Sequence, residues 1–121
     1  MAAITAASYN PRKGNLMANC NENVAVICGT NAGIIADLLN DLIRDELEKT
    51  IVKADRKWCR CSMKSMTVYC PFLTVHQAAS AVARLRNKGI VVASGFNENP
   101  FDHTNWYAFT EYGMRLMKER W

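Results

Sequence analysis

Pro71 constrains the fold of this chain more than any other residue. A proline removes a backbone donor and clashes with the turn before it, so no helix runs through it, and it pushes Cys70 into an extended conformation. On the N-terminal side Ser62 can open a short helix, Met63 to about Tyr69, with Met63 and Met66 facing inward. On the C-terminal side Thr74 and Gln77 have the spacing of a capping box, ahead of Val75, Ala78, Ala79, Val82 and Leu85 at helical intervals. The spacing predicts a helix from Val75 to Lys88, where Gly89 supplies a left-handed stop and Arg84, Arg86 and Lys88 complement the helix dipole. Two helices joined by the tight turn Cys70–Leu73 form a helix-turn-helix.

The flanks supply the rest of a domain. Trp58 to Cys61 reads as a short strand, with Trp58 and Arg60 on one side and Cys59 and Cys61 on the other. The β-branched Ile90, Val91 and Val92 and the aromatic Trp106 to Phe109 read as a hairpin whose long polar loop, Asn97 to Asn105, makes a wing. Thr110 caps a last helix, Glu111 to Arg120, which returns Tyr112, Leu116 and Met117 to the core. Upstream, Thr30 or Asn31 caps a helix with apolar positions at Ile34, Ile35, Leu38, Leu39, Leu42, Ile43 and Leu47. Its opposite face, Asp37, Asp41, Arg44, Asp45 and Glu48, is expected to be wet. Val24 to Cys28 suits either a strand or the beginning of a helix, and the polar residues 1–23 suggest a flexible arm. The expected fold is α+β: over residues 24–121, a winged helix-turn-helix with a three-helix core, a β-hairpin wing and a C-terminal helix.

Composition narrows what such a domain can do. Half of the 121 residues are hydrophobic, enough for one ordinary core, and no apolar run nears the ~18 residues that a membrane crossing needs. Residues 1–10 lack the pattern of a secretory signal, and the odd number of cysteines, 5, suits free thiols in a reducing cytoplasm. Cys59 and Cys61 stand too close for a zinc pair, so neither a metal nor another cofactor is expected. There is no Gly-rich phosphate loop, no His-Glu-x-x-His and no Gly-x-Ser-x-Gly, so the chain does not read as an enzyme. The net charge of +4 divides into +1 over residues 1–29, −3 over 30–55 and +6 over 56–121. A basic half suits a module that meets a polyanion with one face, although an ordinary solvated surface accounts for it too.

In a helix-turn-helix the second helix presents its N-terminal residues to base edges in the major groove. Those positions are Thr74, His76, Gln77 and Ser80, with Arg84 a turn further on. Gln77 can address adenine, or it can serve only as half of its capping box. Lys64, Lys88, Arg56, Lys57 and Arg60 are candidates for phosphate contact, and Asn97, Asn99 and His103 for contact from the wing.

Trp58, Pro71-Phe72-Leu73, the stretch Leu85 to Ile90, and Phe96 to Tyr107 resemble the winged-helix domains of phage replication and replisome-organiser proteins. In that family a Phe-Asn opens the wing and an Asp-x-Thr-x-Trp-Tyr closes it, matched here by Phe96, Asn97, Asp102, Thr104, Trp106 and Tyr107. The resemblance implies a small phage or mobile-element DNA-binding protein acting in replication or transcription control, with double-stranded DNA as partner and a homodimer as one route to paired half-sites. The alternative is a winged helix used to bind protein, such as a phage-encoded inhibitor of a host nucleic-acid machine or defence nuclease; the alanine-rich helix Val75–Lys88 suits that reading better.

Overall fold

Residues 19–118, which the computed structural model describes, run through α1 (Glu22–Cys28), α2 (Thr30–Arg44), β1 (Thr50–Lys53), β2 (Arg56–Arg60), α3 (Met63–Tyr69), α4 (Val75–Asn87), β3 (Val91–Ser94), β4 (Trp106–Phe109) and α5 (Glu111–Met117). The strands form one antiparallel sheet in the order β1-β2-β4-β3, so the architecture is α+β. Residues 1–18 of the expected arm lie outside the described residues. After them the chain is already part of the fold: Asn21 accepts from the Val24 amide at 3.0 Å to cap α1, and its own N–H donates to the Gly33 carbonyl at 3.1 Å. The open choice at Val24–Cys28 resolves as helix. Gly29 (φ 97°) ends α1 and begins α2 in a conformation that a side chain would strain, which lets two helices meet at one residue.

The apolar repeat does become a helix, but the wet face expected for it is a correction. Only Asn31, Asp37 and the ends of α2 escape burial, and Asn40 and Asp41 are buried along with Ile35, Leu38, Leu39, Leu42 and Ile43. α1, α3, α4 and β2 surround this helix, so tertiary packing overrides the polar stripe that periodicity suggests. The Asp41 carboxylate takes the Arg44 guanidinium at 2.7 Å, which compensates its charge. The helix stops at Arg44 and leaves Leu47 half-buried beyond it.

The sheet has two different faces. Cys59, Tyr107, Phe109 and Val91 join the helices in the main core. Trp58, Trp106 and Ala108 form a smaller cluster on the other side, covered by Ile51, Val92 and Phe96. Trp58 and Phe96 meet edge-to-face at 4.9 Å, a contact worth about 1 kcal/mol beyond burial, and the Lys53 ammonium lies 4.6 Å above the Phe96 ring.

α3 and α4 form where their caps place them. Ser62 accepts from the Ser65 amide, and the capping box is complete: Thr74 Oγ1 accepts from Gln77 N at 3.0 Å and Gln77 Oε1 from Thr74 N at 2.9 Å. The buried stripe of α4 is Ala78, Ala81, Val82 and Leu85, however, and Val75 and Ala79 face solvent. At the far end α5 packs on the start of β3 so closely that a Cβ on Gly113 would sit 2.1 Å from the Ile90 carbonyl oxygen. This close approach buries Gly113 and Met117 and leaves Tyr112, expected in the core, 39% exposed. α5 reaches Met117, and residues 119–121 of the longer expected helix lie outside the described residues.

Candidate nucleic-acid interface

The exposed ridge of α4 gathers most of the expected site. His76, Gln77 and Ser80 lie exposed on its first turns, whereas Arg84, Arg86 and Lys88 crowd its end. Along the axis Ser80 and Arg84 are about 6 Å apart and His76 and Lys88 about 18 Å at 1.5 Å per residue, so only the outer members of the two groups are too far apart to meet the same base pair. Lys64 adds an exposed cation on the first turn of α3. Among the described residues Lys64, Arg86 and Lys88 form no ion pair, which leaves their charge available.

Several expected contact residues are occupied within the molecule. Arg84 turns toward α1, where its Nη1 donates to the Cys28 carbonyl at 3.3 Å. Lys57 pairs with Glu46 at 2.7 Å, and Arg60 with Asp102. Gln77 spends its side-chain oxygen on the capping box, the plainer of its two sequence readings.

The loop between β3 and β4 corrects the expectation most sharply. Asn97 is its hub rather than a probe of DNA: Nδ2 donates to the Asp102 carbonyl at 3.0 Å and the Thr104 carbonyl at 2.7 Å, while Oδ1 accepts from Trp106 Nε1 at 2.9 Å and Arg60 Nε at 3.3 Å. The Asn99 oxygen receives the Phe101 amide at 2.9 Å and shapes the loop tip. Asp102 receives the Thr104 amide at 3.0 Å, and that bond, followed by the Arg60 guanidinium, holds its carboxyl down at about 2. The motif residues Asn97, Asp102, Thr104 and Trp106 thus close one small polar clasp, while Phe96 packs on Trp58. His103 stays exposed and lines a groove of about 330 Å³ with Ser62 and Met63, where α3 begins.

Apolar side chains at the surface were not anticipated. Val68 at the end of α3, Phe72 in the turn and Val75 at the start of α4 are 71%, 58% and 51% exposed, and Phe101 at the wing tip is 86% exposed. Their sequence signal, three apolar residues within eight positions around Pro71, reads equally well as core.

Four of the five thiols are shielded from reaction. Cys28, Cys59, Cys61 and Cys70 are buried, and burial raises the Cys61 thiol to about 12 and Cys59 further, so both stay protonated and weakly nucleophilic. Among the described residues no group of three His, Cys, Asp or Glu side chains could hold a metal ion, and no helix is long and apolar enough to cross a membrane. No protein-family model, curated protein or solved structure matches the chain.

Proposed function

We propose that this chain is a winged helix that binds double-stranded DNA, with α4 as the reading helix and the β3–β4 hairpin as the wing, acting without catalysis in replication or transcription control. The observation that carries this reading is the division of the exposed surface of α4 into a hydrogen-bonding start (His76, Gln77, Ser80) and a cationic end (Arg86, Lys88), with Lys64 exposed on the neighbouring α3. Such a face sets a few polar side chains against base edges while cations draw in the phosphates on either side. The clasped wing contributes shape and backbone groups. Its one unpaired acid, Glu98, makes it a poor partner for phosphate, so it plays the smaller part.

Titration of labelled random-sequence duplex across a salt series tests this. Micromolar affinity is expected, with a logarithmic salt slope that shrinks by about 2–3 when Lys64, Arg86 and Lys88 become Ala, since each phosphate contact contributes about 0.9. Absence of binding at low salt would overturn the reading. It would favour a protein-binding winged helix, for which the exposed Val68, Phe72 and Val75 at the helix-turn-helix corner are the supporting observation.

A further inference from the structure

No Asp, Glu, Lys or Arg occurs from Ser65 to Ala83, although 21% of the chain is charged. This stretch forms the corner where α3 turns into α4. Met66, Cys70, Leu73 and Ala78 point into the core, and Leu73 N donates to the Cys70 carbonyl at 3.0 Å, which pins the corner in place. What the corner leaves outside is apolar as well: Val68, Phe72 and Val75 are each more than half exposed, and Ala79 follows Val75 one turn along α4. The polar atoms around these side chains are already bonded within the molecule. Thr67 Oγ1 donates to the Lys64 carbonyl at 2.7 Å, Thr74 and Gln77 close the capping box, and Glu48, which reaches α3 from outside the stretch, accepts from the Tyr69 hydroxyl at 2.6 Å. Removing this surface from water therefore strands few polar groups. Other strongly exposed apolar side chains lack that setting: Val26, Val52 and Phe101 stand singly, with Glu22, Lys53 and Glu98 close by in their own segments.

We propose that this corner docks on the same corner of a second copy of the chain, forming a weak two-fold dimer through Val68, Phe72, Val75 and Ala79. In a two-fold contact a patch meets itself, so any charge within it would face its own sign; a patch without charge pairs with itself free of that repulsion. Its small extent keeps the association weak and concentration-dependent. Val75 and His76 lie about 100° apart round α4, and Val75 and Ser80 about 140°, so the contact uses a different side of that helix from these polar residues. The proposal does not rest on DNA binding by α4.

Sedimentation velocity of the full chain, from micromolar to millimolar concentration and without DNA, tests it. Reductant is present throughout, because the exposed Cys20 could otherwise cross-link two chains. The weight-average mass should rise with concentration toward that of two chains, and added salt should not lower it, because no ion pair contributes. Phe72→Asp and Val75→Asp should each weaken association by about tenfold or more. Phe72→Leu should keep most of it, and Phe101→Ala, which removes a more exposed ring elsewhere, should leave it unaltered. Each substituted side chain is exposed, and an acid at the first position of α4 suits the helix dipole, so thermal midpoints should stay near that of the native chain. The proposal is overturned if the chain stays monomeric throughout, or if Phe72→Asp associates as tightly as the native chain. Dissociation by salt would also overturn it, by assigning the contact to charged surfaces.

Discussion

The two hairpins of this sheet reach the same antiparallel pairing by opposite means. β1–β2 is closed by two residues, Ala54 and Asp55, both at positive φ (52° and 60°), with Lys53 opposite Arg56. Backbone twist alone matches strand to strand there, in the manner of a type I′ turn. β3–β4 spans the long segment from Gly95 to Asn105, which imposes no register by itself, and the clasp of Asn97, Asp102 and Arg60 supplies what the turn does not. One hairpin stores strain in its backbone; the other spends side chains to avoid it. Residues that a reader of the sequence would assign to ligand contact are therefore structural in the long hairpin, and the short hairpin leaves its cations free for surface pairs such as Lys57 with Glu46.

Changes that weaken one mechanism and not the other separate the two. The largest effect is expected from Asn97→Ala, which removes four hydrogen bonds and leaves the buried Trp106 indole N–H without its acceptor. A loss of about 2–3 kcal/mol in urea unfolding should follow, with faster amide exchange along β4 than along β1. An unchanged midpoint would mean that the loop holds its register without the clasp. A smaller change of opposite sign is expected in the short hairpin, where Ala54→Gly should raise stability by about 0.5–1 kcal/mol by relieving a left-handed alanine; destabilisation on the same measurement would show that Ala54 carries no strain. Smallest is the response to acid. The Asp102 carboxyl is depressed to about 2 by the Thr104 amide and then by Arg60, so its contribution is complete above the ordinary carboxylate range, near pH 4, and is lost as pH falls from there through about 2. Near-ultraviolet circular dichroism of Trp106 should follow this loss between pH 4 and 2 in the native chain and not in Asp102→Asn. Identical curves would remove Asp102 from the account.

What could be read in advance follows the same division between local and distant causes. Ser62, Pro71, Thr74, Gln77 and Gly89 act within a few residues, and the helices and turn they imply are present at those positions. The closure of the β3–β4 loop by Asp102 and Thr104 was legible for the same reason. β1 was not, because its strand character rests on Thr50, Ile51 and Val52 inside a charged stretch, and Ala54-Asp55 is not the Asn-Gly that ordinarily marks a two-residue turn. Nor could sequence show that Asp41 is buried or that Arg84 turns toward Cys28, since those facts depend on α1 and α4 meeting around α2. Of the expected interface residues, His76, Ser80, Lys64 and Lys88 are exposed, whereas Arg84 is engaged by the distant Cys28 carbonyl and Asn97 by its own loop and by Arg60.

The buried thiols give the molecule a chemical record of its own opening. Cys28 lies on α1, Cys59 on β2 and Cys70 at the end of α3, each buried on a different element, while Cys20 stands exposed. An alkylating reagent therefore meets one thiol in the folded chain and the others only as their elements detach. The order in which those masses accumulate would trace which helix or strand lets go first, with no label added to the protein.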